Sequence, residues 1–196
     1  YMNIRASKHC YYGNLSTLLN KNRYAILESE LVLLSQELQC SMNHKENYIS
    51  LGFDNNKSSM ALEKLSCEMI KLDSECGIKE YFEENSSNAL LVYINTKALD
   101  YNSIFKGTDR FHYIIIDNFQ EGKISIVDSF IQTIPVSVFH GFVNSNKIIK
   151  NIANGTATAH YLRNLSHRNH FDDAKLLFIQ YLDENVLQLE ESIINK

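Results

Sequence analysis

Long apolar runs, paired cysteines and an excess of positive charge are all missing from this sequence. No apolar run approaches the roughly 20 residues that a membrane-spanning helix needs. Nineteen Lys and Arg against 23 Asp and Glu give a net charge of -4 and a pI near 6.0. That balance speaks against nucleic acid or an anionic membrane as a main partner. Cys10, Cys40, Cys67 and Cys76 form no C-x-x-C pair. Arg5 and Lys8 lead into no apolar h-region, so no secretory signal is visible. A disulfide framework is therefore not expected, and the expected setting is a reducing cytoplasm. His167 and His170 stand three apart in a polar stretch with no cysteine nearby, so no zinc site and no other cofactor is expected. Internal repeats and low-complexity segments are also lacking.

What remains is ordinary globular material. With 196 residues, 44% hydrophobic and 21% charged, the chain suits one domain, or one domain plus an appendage, around a real core. Tyr11 to Leu19 has apolar residues at helical intervals, after a polar lead that ends at Cys10. A second helix is expected over 29–38, a short strand over 48–53, and a third helix over 58–76 with Gly77 to end it. The run ALLVYIN, 89–95, reads as a buried strand. The connection 97–110 is polar. Residues 132–143 carry the only proline, Pro135, and read as a structured loop before another short helix. Helical patterns follow from 146, strongest over 172–194. Helices first and antiparallel strands after give an α+β class.

The most informative stretch is FHYIIIDNFQEGKISIVDSF, 111–130. Its β-branched and aromatic runs flank a Gln120-Glu121-Gly122 turn, which predicts a hairpin. The hairpin brings His112, at the start of one strand, close to Asp128, at the end of the other. A carboxylate that orients an imidazole lacks only a nucleophile to make a catalytic set. Cys10 supplies it, at the start of a helix whose positive end favours an anion. Gly13 in the first turn permits close backbone approach. Cys40, Cys67 and Cys76 read as small buried hydrophobes. His9 reads as a loop residue, and Asp117 as pointing away from the His112 end. His140 and His160 have no acidic partner at a telling spacing, and Ser16 and Thr17 read as packing or solvent positions.

The segments HCYYGNLSTLL, ESELVLLSQEL and FHYIIIDNF…ISIVDSFIQTIPVSVFHGFV together resemble the N-terminal domain of the butirosin biosynthesis H acyltransferase family, over about residues 7–143. The resemblance implies a papain-like fold, with N-terminal helices packed on a small antiparallel sheet. It implies a catalytic domain over 1–145 and a helical C-terminal extension over 146–196. The activity implied is transfer of an acyl group from a carrier-protein thioester, on a phosphopantetheine arm, to a small-molecule amine in natural-product (antibiotic) biosynthesis. Cys10 would be the nucleophile, His112 the general base and acid, and Asp128 the orienting group. The His112 to Asp128 spacing also resembles that of bacteriocin-processing peptidases. Those enzymes carry a glutamine six residues before the cysteine, where this chain has Ile4. The family's second domain has no counterpart of its length here, and the C-terminal helices either stand in for it or dimerise. The alternatives are a papain-like peptidase or amidase, a thioester hydrolase, or a non-catalytic binding protein of the same fold.

Overall fold

The computed structural model describes residues 4–164 apart from 23, 36–37, 44–47, 54–57, 74–76, 86–87, 121, 132 and 134, together with 176, 179, 180 and 183. In chain order the elements are α1 (Cys10–Lys21), α2 (Glu28–Leu34), β1 (Leu38–Asn43), β2 (Tyr48–Phe53), α3 (Ser58–Lys64) and β3 (Cys67–Lys71). Then come α4 (Ile78–Glu84), β4 (Leu90–Asn95), a 3-10 turn (Thr96–Ala98), α5 (Ser103–Lys106), β5 (Phe111–Gln120) and β6 (Lys123–Ile131). β7 (Ser137–Asn144), α6 (Asn146–Ala153) and β8 (Thr158–Asn164) complete them. The chain divides into two compact units, 1–24 with 69–163, and 25–68 with 164–196. In the second unit β1 and β2 form an antiparallel hairpin, and α2 packs on α3.

The first unit is built on a six-stranded sheet of order β3-β8-β4-β5-β6-β7. β4 pairs antiparallel with β5 and β8, and β6 with β5 and β7. With its helices this makes an α+β protein. Strand alternation divides the side chains between two faces. One face carries Leu90, Val92, Ile94, Ile114, Ile116, Ile124 and Ile126, which join residues of α4, α5 and α6 in one core. The other lies under α1, whose Leu15, Leu18 and Leu19 are fully buried. Each such leucine stabilises the contact by roughly 1.5–3 kcal/mol. Packing therefore holds α1 in place, since its N-terminus has no side-chain cap.

The 111–130 hairpin forms as its sequence predicts, with both strands longer than the apolar runs and Gly122 turning at φ +74°. β4 lies inside the sheet, as its continuous apolar run requires. Other expectations differ. The helix over 58–76 ends at Lys64, because Ser66 takes a left-handed φ of +51° and the chain leaves as β3. Gly77 accordingly caps the start of α4 and ends no helix. The helix over 29–38 stops at Leu34, and Leu38 opens β1. The loop over 132–143 is largely strand β7, with Pro135 just outside it, where a missing N–H costs no ladder bond. From 146 onward the expected helices begin with α6, but Thr158–Asn164 is β8, between β3 and β4. His167, His170 and Cys76 lie outside the described residues, as does most of 172–194.

α1 approaches the sheet closely through Gly13. A Cβ there would lie 2.1 Å from Ser7 Oγ, 2.2 Å from Ser7 Cβ and 2.8 Å from Ser129 Oγ. Gly13→Ala is expected to cost roughly 1–3 kcal/mol through overpacking. Adding Ser7→Gly should recover part of that loss, and urea unfolding of both variants checks it.

Candidate active site

Helix α1 begins at Cys10. His9, at the N-cap, makes no side-chain capping bond, and the first turn holds no acidic residue. The positive end of the helix is therefore uncompensated where the half-buried Cys10 stands.

His112 and Asp128 arrive from the sheet. The β5–β6 ladder pairs Ile115 with Val127. Continuing that register sets Asp128 opposite Ile114, on the diagonal from His112 and on the same face. Both side chains are buried, and His112 Nε2 lies 2.9 Å from Asp128 Oδ2. The same Oδ2 accepts the Tyr101 hydroxyl at 2.7 Å, and Oδ1 accepts the Phe130 N–H at 3.0 Å. That N–H is free to turn inward because the β6–β7 register is irregular between Asp128 and Ile131. With Nε2 held by the carboxylate, Nδ1 is the ring nitrogen left for Cys10, whose thiol is near enough to the imidazole to raise its pKa. The imidazole thus stands between a thiol and a carboxylate, with Phe105 against it at a centroid distance of 5.1 Å.

Burial alone would lower the His112 pKa. The hydrogen bonds to Asp128 and Cys10 and the charges on those groups outweigh it, and the value rises from 6.5 to about 9. The Tyr101 phenol is pushed well above its usual 10.0 by burial and by the Asp128 carboxylate, so it serves as a donor.

The side chain that assembles this set is Asn14, fully buried one turn after Cys10. Its Nδ2 donates to the Cys10 carbonyl at 2.9 Å and to the Tyr113 carbonyl at 2.7 Å. Its Oδ1 accepts from the Ser129 N–H at 3.0 Å and the Ser129 hydroxyl at 3.1 Å. In the β5–β6 register Tyr113 and Ser129 would face each other, so the Asn14 amide stands in for a peptide group where the strands separate. Ser7 completes the junction, its N–H donating to the Ser129 carbonyl at 2.9 Å.

The structure thus brings Cys10, His112 and Asp128 together. The other candidates stay apart from them. His9 is the exposed N-cap of α1, beside the Tyr12 ring, and Asp117 forms an ion pair with Lys21. His140 is exposed on β7. His160 lies on β8 with its pKa lowered by burial and by Lys71. Ser16 and Thr17 are buried, and Cys67 is buried as a small apolar side chain. Among the described residues no group of three His, Cys, Asp or Glu side chains could hold a metal. No helix among them is long and apolar enough to cross a membrane. Sequence reasoning missed Asn14, Ser129 and Tyr101. Asn14 alone left a trace, an amide four residues after Cys10 on the same helix face. Neither a protein-family model nor a curated protein sequence matches the chain.

Asn14→Ala strands two backbone groups, the Tyr113 carbonyl and the Ser129 N–H, that cost about 1–3 kcal/mol each when unpaired. A loss on the order of 3 kcal/mol is expected in urea unfolding, against about 0.5 kcal/mol for the exposed Asn20→Ala. The raised His112 pKa means the folded state holds that proton more tightly than the unfolded chain. Its contribution is complete below about pH 6.5 and is lost as pH rises through about 9. NMR titration should place the His112 midpoint near 9, and Asp128→Asn should lower it. The stability advantage over His112→Gln should shrink across the same window.

Proposed function

We propose that the protein is a cysteine acyltransferase of papain-like type, in which Cys10 is the nucleophile, His112 the proton carrier and Asp128 the orienting acid. The observation that carries the reading is the imidazole held between the Cys10 side chain and a buried carboxylate. It is supported by the order of the three residues, by Cys10 at a helix N-terminus, and by the sequence resemblance to the butirosin H acyltransferase family.

Cys10 Sγ, its proton held on His112, attacks the carbonyl carbon of an acyl thioester carried on a carrier-protein phosphopantetheine arm. The Cys10 N–H, which has no intrahelical acceptor, meets the developing oxyanion. The tetrahedral adduct collapses, the C–S bond to the carrier breaks, and the departing thiolate takes the proton from His112. An amine then attacks the acyl-enzyme and gives its proton to the neutral His112. The bond to Cys10 breaks, an amide leaves, and the thiolate–imidazolium pair is restored. The protein supplies every group that moves a proton, and the phosphopantetheine arm belongs to the substrate. Water in place of the amine would make the same residues a thioester hydrolase.

The test is intact-mass analysis after incubation with acyl-loaded carrier protein or an acyl N-acetylcysteamine thioester. The expected result is one acyl adduct on the wild type and none on Cys10→Ala, with release as an amide when amine is added. No adduct, together with a Cys10 slow towards iodoacetamide, would overturn the proposal. Because the imidazolium must protonate the leaving thiolate, kcat/KM is expected to fall as pH rises through about 9.

A further inference from the structure

α1 covers only part of its face of the sheet. Beneath the helix, Leu91, Ile115 and Val127 are 0–1% exposed. Where the helix begins, the same face continues past Cys10 as a row of rings. Tyr11, next in sequence to Cys10, contacts Tyr113 at a centroid distance of 4.8 Å. Tyr113 contacts Tyr93, its cross-strand partner, at 4.6 Å, and Tyr93 stacks on Phe111 at 4.9 Å with 23° between planes. The first three are half-buried and Phe111 is 51% exposed. The row starts beside Cys10, because Tyr11, its first ring, is the next residue in α1. At its far end, Asn95, paired with Phe111, hydrogen-bonds Asp109 of the Lys97–Asp109 ion pair.

We propose that this aromatic row is the acyl-binding groove of the Cys10 site, and that it selects a large apolar acyl group, aryl or long-chain alkyl, over acetyl. The inference rests on the acyl-transfer reading. Four adjacent ring faces and edges offer a long apolar surface, and the charges at the far end already satisfy each other. Apolar acyl carbons leave water against such rings, and the thioester carbonyl is thereby drawn to the nucleophile. An acetyl group is too short to reach beyond the first ring. A preference of about tenfold or more is the ordinary reach of an apolar pocket that gains several carbons.

The experiment has two arms. In the first, acylation of Cys10 by benzoyl, octanoyl and acetyl N-acetylcysteamine thioesters is followed by intact mass. In the second, the unreactive amide isosteres of the same compounds are titrated into Cys10→Ala protein, with the tyrosine ring signals observed by NMR. The expected results are acylation faster by about tenfold for benzoyl and octanoyl, and tighter binding of their isosteres that shifts Tyr113 and Tyr93. Phe111→Ser, at an exposed position, should bring the preference towards parity, and so should Tyr93→Leu. Val138→Ser, an exposed apolar position on β7, should leave it intact. Equal binding of the three isosteres, or a preference that survives both ring substitutions, would overturn the groove. If no thioester acylates Cys10 but the isosteres bind the rings selectively, the acyl-transfer reading falls and the groove stands as an apolar ligand site.

Discussion

One primary amide holds the candidate site in register. Asn14 projects from α1 into the gap where β5 and β6 part, and bonds the Tyr113 carbonyl and the Ser129 N–H. Those groups would otherwise bond each other in the ladder. A net gain of about 1 kcal/mol for each such bond is modest, but leaving a buried partner unpaired costs more than making the bond gains. Asn14 therefore acts chiefly by excluding other arrangements. If α1 slid by one residue, the Tyr113 carbonyl and the Ser129 N–H would lose their partner together. Gly13 and Ser7 serve the same junction, the first by lacking a side chain that would collide with the second.

The carboxylate beneath this junction is costly to keep. Asp128 is fully buried, and a buried ion pair often contributes less than apolar side chains of the same volume would. Here the cost is offset by three donors: the His112 ring, the Tyr101 hydroxyl and the Phe130 N–H. Tyr101 and His112 share one oxygen, Oδ2. Each draws on the same lone-pair density, so the tyrosine moderates the pull of the carboxylate on the imidazole. A half-satisfied carboxylate would be worse than an apolar core, which gives the bulge after Asp128 its purpose: it frees the third donor.

Local signals carried part of this arrangement. β5 and β6 could be read from β-branched runs around a turn, and a hairpin fixes by itself that His112 and Asp128 are neighbours. The α+β class followed from the order of the elements. β3 was obscured because Leu62, Leu65, Met69 and Leu72 keep helical spacing across the turn at Ser66, so a single period spans two elements. β7 was hidden behind Pro135, and β8 lies in a stretch whose apolar spacing suits a helix as well as a strand. Asn14 and Tyr101 were illegible for a different reason. Their partners, Tyr113 and Asp128, lie 99 and 27 residues away. An asparagine in a helix or a tyrosine in a polar connection has no local property that names so distant a partner.

The two faces of the sheet explain why Cys10 stands where it does. His112 and Asp128 share a face with the core built by α4, α5 and α6, where burial strengthens their interaction. The aromatic row lies on the opposite face, which α1 covers only as far as its first residues. A thiol on either face alone would meet the base or the rings, but not both. At the parting of β5 and β6, a helix that begins at Cys10 brings its thiol near both His112 and Tyr113. The amide that fills the gap thus fixes the one position from which a single side chain meets the proposed chemistry and the proposed recognition together.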